Sequence, residues 1–279
     1  MKFFASVLIA FCVLTAATPT FADVIPTDES QEPVSKKNVE LPESSPSSPP
    51  LSTDDPGTPG PGGYEINFIG NINLFRGGRN LSGGVDANLG VGERLQLRVE
   101  KEARDEVQEN SADFYAAGAT DVGVKYRFFD NRSLKMAFYP SYNFDDGTRV
   151  PGADPEGRSF YLPIIISKAL GRFTFLMNAG AAFNVDFANK KSQFLSVASG
   201  FAINDDLRVM AEFATQFDVD YRRSDVRIGA VKELFPNEAS HYETGMFGSI
   251  GESVGPTEDG VPHLTLLFGF SLAKKPIGD

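Results

Sequence analysis

Few residues in this chain have the type and spacing to do covalent chemistry. There are two histidines. His241 stands in Ser-His-Tyr-Glu-Thr-Gly and His263 follows Pro262 in Val-Pro-His-Leu. Ser240 precedes His241, but neighbours in an extended strand point to opposite faces, so the pair does not make a nucleophile and its base. No His-x-Ser occurs. The histidines read as polar rim residues, and no catalytic residue is assigned. Asp145-Asp146-Gly147 and Asp154-Pro155-Glu156 carry oxygen ligands of the calcium-binding kind, yet acids beside Gly and Pro equally make a solvated loop. No metal and no cofactor is assigned. The single cysteine, Cys12, leaves no disulfide or cysteine metal site beyond it. A net charge of −11 argues against a nucleic-acid surface.

The remaining charges alternate with apolar residues. In DVGVKYRFFDNRSLKMAFYPSYNF, from Asp121 to Phe144, Val122, Val124, Tyr126 and Phe128 alternate with Gly123, Lys125 and Arg127. After Phe129 to Arg132, Leu134, Met136, Phe138, Pro140, Tyr142 and Phe144 alternate with Lys135, Ala137, Tyr139, Ser141 and Asn143. Two long strands, each greasy on one face and wet on the other, predict a β-hairpin. The pattern recurs to the end of the chain.

The ends differ from this body. Lys2, the apolar run Phe3 to Leu14 and Thr20-Phe21-Ala22 have the order of a cleaved secretory signal, residues 1–22. A run of that length is too short to span a bilayer as a helix. Phe11 before Cys12 disfavours a lipid anchor. Residues 23–63 hold nine of the eighteen prolines among Ser, Asp and Glu. This composition predicts a disordered periplasmic tail, with a tether to a partner as the sharper reading.

From Tyr64, twelve candidate strands follow: Tyr64–Phe75, Leu81–Leu89, Arg94–Glu100, the two of the hairpin, then Arg158–Lys168, Arg172–Phe187, Ser192–Ile203, Leu207–Phe217, Ser224–Leu234, His241–Ile250 and His263–Leu272. The polar stretch Lys101 to Ala112 reads as a loop, and residues 273–279 as a short polar tail. Turns alternate between tight and long. The expected fold is all-β, a transmembrane antiparallel β-barrel over residues 64–272 with twelve strands, ten or fourteen being the alternatives. A soluble two-sheet sandwich would have shorter strands. An even strand number places both termini in the periplasm of a Gram-negative cell. The 24 Phe and 8 Tyr supply aromatic girdles without any Trp. Lipid of the outer membrane and a small solute are the expected partners, and monomer or oligomer stays open.

In such a barrel the apolar set faces lipid. Phe173, Phe175, Met177, Phe183, Leu95, Leu97, Val99, Val209, Phe213, Phe268 and Phe270 are then outward. The lumen receives Glu65, Asp86, Arg98, Lys125, Arg127, Lys135, Glu212 and Arg227, together with Asn178 and the small residues Gly123, Gly180, Ala182 and Gly229. Because both signs occur, two readings stand. The charges cross-pair and plug the barrel, for example Arg98 with Glu212, or they line a wet channel.

Gly118 to Phe128, GATDVGVKYRF, resembles a Gly-x-x-Asp-x-x-Leu-Gly-x-Lys-Tyr-Arg-Phe segment of outer-membrane proteins named for the meta-cleavage pathway of phenol degradation. Gly84 to Leu97, GVDANLGVGERLQL, is similar to that family's strand-turn-Arg-Leu-Gln-Leu segment. The resemblance implies an outer-membrane barrel that passes small, often hydrophobic or aromatic molecules. It implies no catalytic residues. The rival expectation is a structural or adhesive barrel with a plugged lumen.

Overall fold

A computed structural model of the chain describes residues 50–75, 78–108, 114–144, 157–187, 191–217, 222–235, 241–254, 262–274 and 276, without the side chains of 104–108 and 114–117. The signal 1–22, residues 23–49 and the acidic loops at 145–147 and 154–156 lie outside the described residues.

Alternating sequence becomes strand throughout. The strands are β1 (Tyr64–Phe75), β2 (Gly78–Val91), β3 (Leu95–Gln108), β4 (Phe114–Asp130), β5 (Leu134–Phe138), β6 (Ser141–Phe144) and β7 (Ser159–Leu170). They continue as β8 (Phe173–Asn184), β9 (Lys191–Ala202), β10 (Leu207–Phe217), β11 (Arg222–Leu234), β12 (Tyr242–Ser253) and β13 (Leu264–Lys274). Apart from β5 and β6, which do not pair with each other, each pairs antiparallel with its sequence neighbours, and β1 pairs with β13, Tyr64 opposite Lys274 and Leu74 opposite Leu264. The sheet therefore closes on itself. Strands β5 and β6 both lie between β4 and β7, so they are two halves of one stave, and the barrel has twelve staves. Closure leaves no sheet edge, which lets the backbone satisfy its hydrogen bonds inside hydrocarbon.

The stave expected over Leu134 to Phe144 breaks at Tyr139-Pro140. Proline has no N–H to give the ladder. The neighbours bridge the gap: Val124 N donates to Pro140 O at 2.9 Å and Tyr139 N to Pro163 O at 3.1 Å. A larger difference is at β3, which runs through the expected loop to Gln108 and meets β4 from Phe114. Strand β4 also runs on to Asp130, and β13 to Lys274 rather than Leu272. Beyond an apolar belt both faces of a hairpin are wet, so alternation stops while backbone pairing continues.

The outward surface is apolar as expected. Phe68, Leu97, Val99, Phe173, Phe175, Phe213 and Phe268 are all exposed. No helix among the described residues is long and apolar enough to cross a membrane, which has no bearing on a barrel. At the rim that carries Tyr64 and Lys274, the β2–β3, β4–β5, β7–β8 and β9–β10 connections are tight. Gly171, at φ 61°, makes the two-residue turn between β7 and β8, a conformation that favours glycine.

Candidate functional site

The inward parity of the strands builds the lumen, and its two sides differ. One wall, from β1 to β4, is polar. Asp86 on β2 is fully buried and accepts Arg98 Nε at 2.7 Å. Arg98 Nη2 reaches Glu100 Oε2 at 2.6 Å. Asn67 Nδ2 donates to Glu65 Oε1 at 2.7 Å and to Asp86 Oδ2 at 3.3 Å. Asn88 Nδ2 donates to Asp86 Oδ2 at 3.1 Å, and Gln96 Nε2 to Asn88 Oδ1 at 2.6 Å. The Tyr139 ring lies over Gly123, where a Cβ would fall 2.7 Å from it. Lys125 Nζ stands 4.8 Å from that ring centre and the Arg98 guanidinium 5.8 Å, within cation–π reach.

The opposite wall carries an apolar patch although it faces inward, set among the buried polar residues Asn178, Ser196, Glu212 and Thr215. Leu176, Ala198, Met210, Val231 and Phe247 form a buried cluster, with Ile69 and Leu267 packed against it. The remaining member of the cluster is Leu51, from the segment ahead of the barrel.

Residues 50–57 thus lie inside the barrel and 58–63 run along its rim, so this part of the expected disordered tail 23–63 is ordered against the barrel. Burial of Leu51 contributes roughly 1.5–3 kcal/mol. Hydrogen bonds hold the following residues. Glu212 Oε1 accepts Ser52 Oγ at 2.6 Å, and Oε2 accepts Thr53 N at 2.7 Å and Thr53 Oγ1 at 2.6 Å. The Asn178 carboxamide, turned to satisfy both groups, donates to the Asp54 carbonyl at 2.9 Å and accepts the Asp54 N–H at 2.6 Å. Lys125 Nζ donates to the Asp55 carbonyl at 2.8 Å. Gly57 N donates to Asp55 Oδ1 at 2.5 Å, reversing the chain, and Thr58 Oγ1 reaches Glu93 O at 3.0 Å. Gly62 N then donates to Gly90 O at 3.3 Å and Gly90 N to Gly63 O at 2.9 Å, joining the segment to the end of β2.

The lumen residues expected from sequence separate into groups. Glu65, Asp86 and Arg98 come together on the polar wall, and Lys125 joins them through Tyr139. Glu212 and Arg227 face each other at 3.8 Å on the opposite side. Arg127 stands at the rim, donating to Glu93 O at 2.7 Å and pairing with Asp130 at 3.0 Å. Lys135 is half-buried near that rim, opposite Asp130 in the ladder. Arg98 pairs with Asp86 and Glu100, and Glu212 with the inserted segment, so the expected Arg98–Glu212 plug is replaced by one made of main chain. The space expected at small inward residues is filled: Gly180 by Phe194, Gly123 by Tyr139, Gly229 by Pro50 and Ser249.

Sequence reasoning missed Leu51, Ser52 and Thr53, hidden in a Pro- and Ser-rich stretch. It also missed the apolar wall. The signal was present, since Met210 lies between Arg208 and Glu212 on lumen parity. Beside the inserted segment a cleft opens at the same rim, lined by Glu65, Asp205, Asp206, Glu233, Glu243 and one cation, Arg208. His241 and His263 stand at opposite rims, ahead of β12 and β13, so they share no site. Among the described residues no group of His, Cys, Asp and Glu is placed to hold a metal ion.

No protein-family model and no curated protein sequence matches the chain. Solved structures do match by shape. An outer-membrane channel from Pseudomonas putida F1 is 11% identical at a TM-score of 0.59, over 76% of this chain and 95% of that one. The NanC porin is 9% identical at a TM-score of 0.53, over 76% of this chain and 100% of that one. These likenesses, together with the closed register and the apolar exterior, make the fold that of a closed antiparallel barrel of the outer-membrane type.

Proposed function

We propose that this protein is an outer-membrane channel for small solutes, closed in the described state by residues 50–57 of its own chain. The observation that carries the reading is the plug's construction. It is a separate segment without regular structure, held largely by hydrogen bonds to a few side chains and by one leucine. Such a plug can leave without unfolding the wall, because the Asp86–Arg98–Glu100 network closes on itself. Barrels of twelve strands enclose more lumen than eight-stranded ones. The apolar wall supports passage of solutes with an apolar part, as does the resemblance of Gly84 to Leu97 and Gly118 to Phe128 to the phenol meta-pathway barrels. The cleft at the plug's rim, with five carboxylates against Arg208 and the Lys232 that pairs with Asp206, favours cations at that mouth. Both termini are placed in the periplasm by this reading.

A second reading, a structural barrel sealed for good, is favoured by the Leu51 cluster. Planar-bilayer recording separates the two. The mature protein is expected to show small, intermittent currents, and a form lacking residues 23–57 larger and steadier ones with cation selectivity. Silence from the shortened, correctly folded barrel would sink the channel reading.

A further inference from the structure

The contacts that hold the plug share a feature. Three barrel side chains, from three different strands, bind main-chain groups of three consecutive residues. Glu212 on β10 accepts the Thr53 N–H, Asn178 on β8 takes both the N–H and the carbonyl of Asp54, and Lys125 on β4 donates to the carbonyl of Asp55. Asn178 and Glu212 are almost fully buried and Lys125 completely so. Buried polar groups need partners when the lumen is desolvated, so a ligand without amide groups in this order leaves them unmet. Two residues before Thr53, an aliphatic side chain fills the apolar wall. The hydroxyls of Ser52 and Thr53 complete the partners of Glu212.

We infer that the lumen is a peptide-binding site. Its ligands are short linear peptides that carry an aliphatic residue two positions before the amide read by Glu212. The inserted segment occupies this site as a tethered competitor. Resting on the channel reading, the inference names the class of solute that exchanges with the plug. The site has an order: aliphatic pocket, carboxylate acceptor, carboxamide, ammonium. Sugars and simple aromatics offer no match to the paired N–H and carbonyl taken by Asn178. A free peptide must displace the tethered segment, which acts at a high effective concentration. Affinity for a free peptide is therefore low until the segment is loosened.

The test uses the full mature chain in detergent, with the segment loosened by Leu51→Asp combined with Thr53→Pro, or independently by Gly90→Val. The probe is the end-blocked peptide PLSTDDPG, the sequence of residues 50–57. Calorimetry reads binding, and block of current in planar bilayers reads it a second way. Both variants are expected to bind the probe at least about tenfold more tightly than the unaltered chain, since the competitor is lost. A probe with Asp in place of its leucine is expected to bind about tenfold or more weakly, through loss of the apolar contact. Benzoate and sucrose at the same concentration should not compete. No calorimetric binding of the probe to either variant overturns the inference, whatever the conductance. Equal competition by benzoate or sucrose overturns it as well. Binding without conductance in either variant would leave the peptide site standing and remove the channel reading.

Discussion

Asp86 has the most to lose at the residue scale. It is fully buried, with Arg98 as its one cation at hydrogen-bond distance among the described residues. Removing one partner of a buried pair strands the other, at a cost of about 3–5 kcal/mol. Arg98→Ala should lower the stability of the folded barrel by that order in denaturant titration. Asp86→Asn in the same chain should restore much of it, because the stranded charge is gone. If the single variant is as stable as the parent, the pair is not the wall's anchor. Asp206, in the turn before β10, behaves differently. The hydrogen bond from Lys232 holds its carboxyl below the ordinary carboxylate value. A depressed folded pKa means that this contribution is present above the ordinary value, near 4, and disappears as pH falls through the folded value. The stability gap between the parent and Asp206→Asn should therefore shrink as melting is followed from pH 6 downward. A constant gap would contradict the pairing.

At the scale of elements, the joint between the inserted segment and β2 is tight. A Cβ on Gly90 would lie 1.8 Å from the Gly60 carbonyl oxygen and a Cβ on Gly63 2.1 Å from that of Pro59. Backbone cannot yield at that distance without moving the turn. Gly90→Val should unseat residues 60–63 while leaving the β2–β3 pairing whole. The expected result is raised conductance with an unchanged far-ultraviolet circular dichroism spectrum; unaltered conductance would show that the turn does not position the plug. The tight packing also explains why a glycine closes the Gly84-to-Leu97 stretch before its turn. Strand positions were largely legible from alternation: β1 and β10 run over Tyr64–Phe75 and Leu207–Phe217 as the pattern indicates. The continuation of β3 to Gln108 was not, because a strand wet on both faces carries no period. The break at Tyr139-Pro140 was visible only as a proline, which an alternating pattern tolerates.

Over the whole molecule, lipid and lumen divide the work of the two faces. Phe268 is 57% exposed near the middle of β13, its ring lying over Gly70 on β1. Phe268→Arg should cost about 2–4 kcal/mol when folding is measured in bilayers, falling toward zero nearer the interface. Asn178→Ala, in the lumen, strands no charge and should change the barrel's stability far less and instead loosen the plug. Equal losses for both would mean that the outward face does not meet hydrocarbon.

By itself the sequence determined the closed barrel. Period-two alternation over strands of this length is a local property, and once the greasy face is outward the sheet has to close to pair its edges. It also placed Glu65, Asp86, Arg98, Lys125, Glu212 and Arg227 on the inward face, since parity follows from alternation. Only the tertiary structure decided who meets whom. Heights and facing partners across a lumen depend on the stagger of all twelve staves, which no local pattern encodes. The seating of residues 50–57 lay beyond composition for the same reason. A segment too polar to build a core can still be ordered inside one that a barrel supplies, where Leu51 finds an apolar wall and its neighbours find partners for their amides.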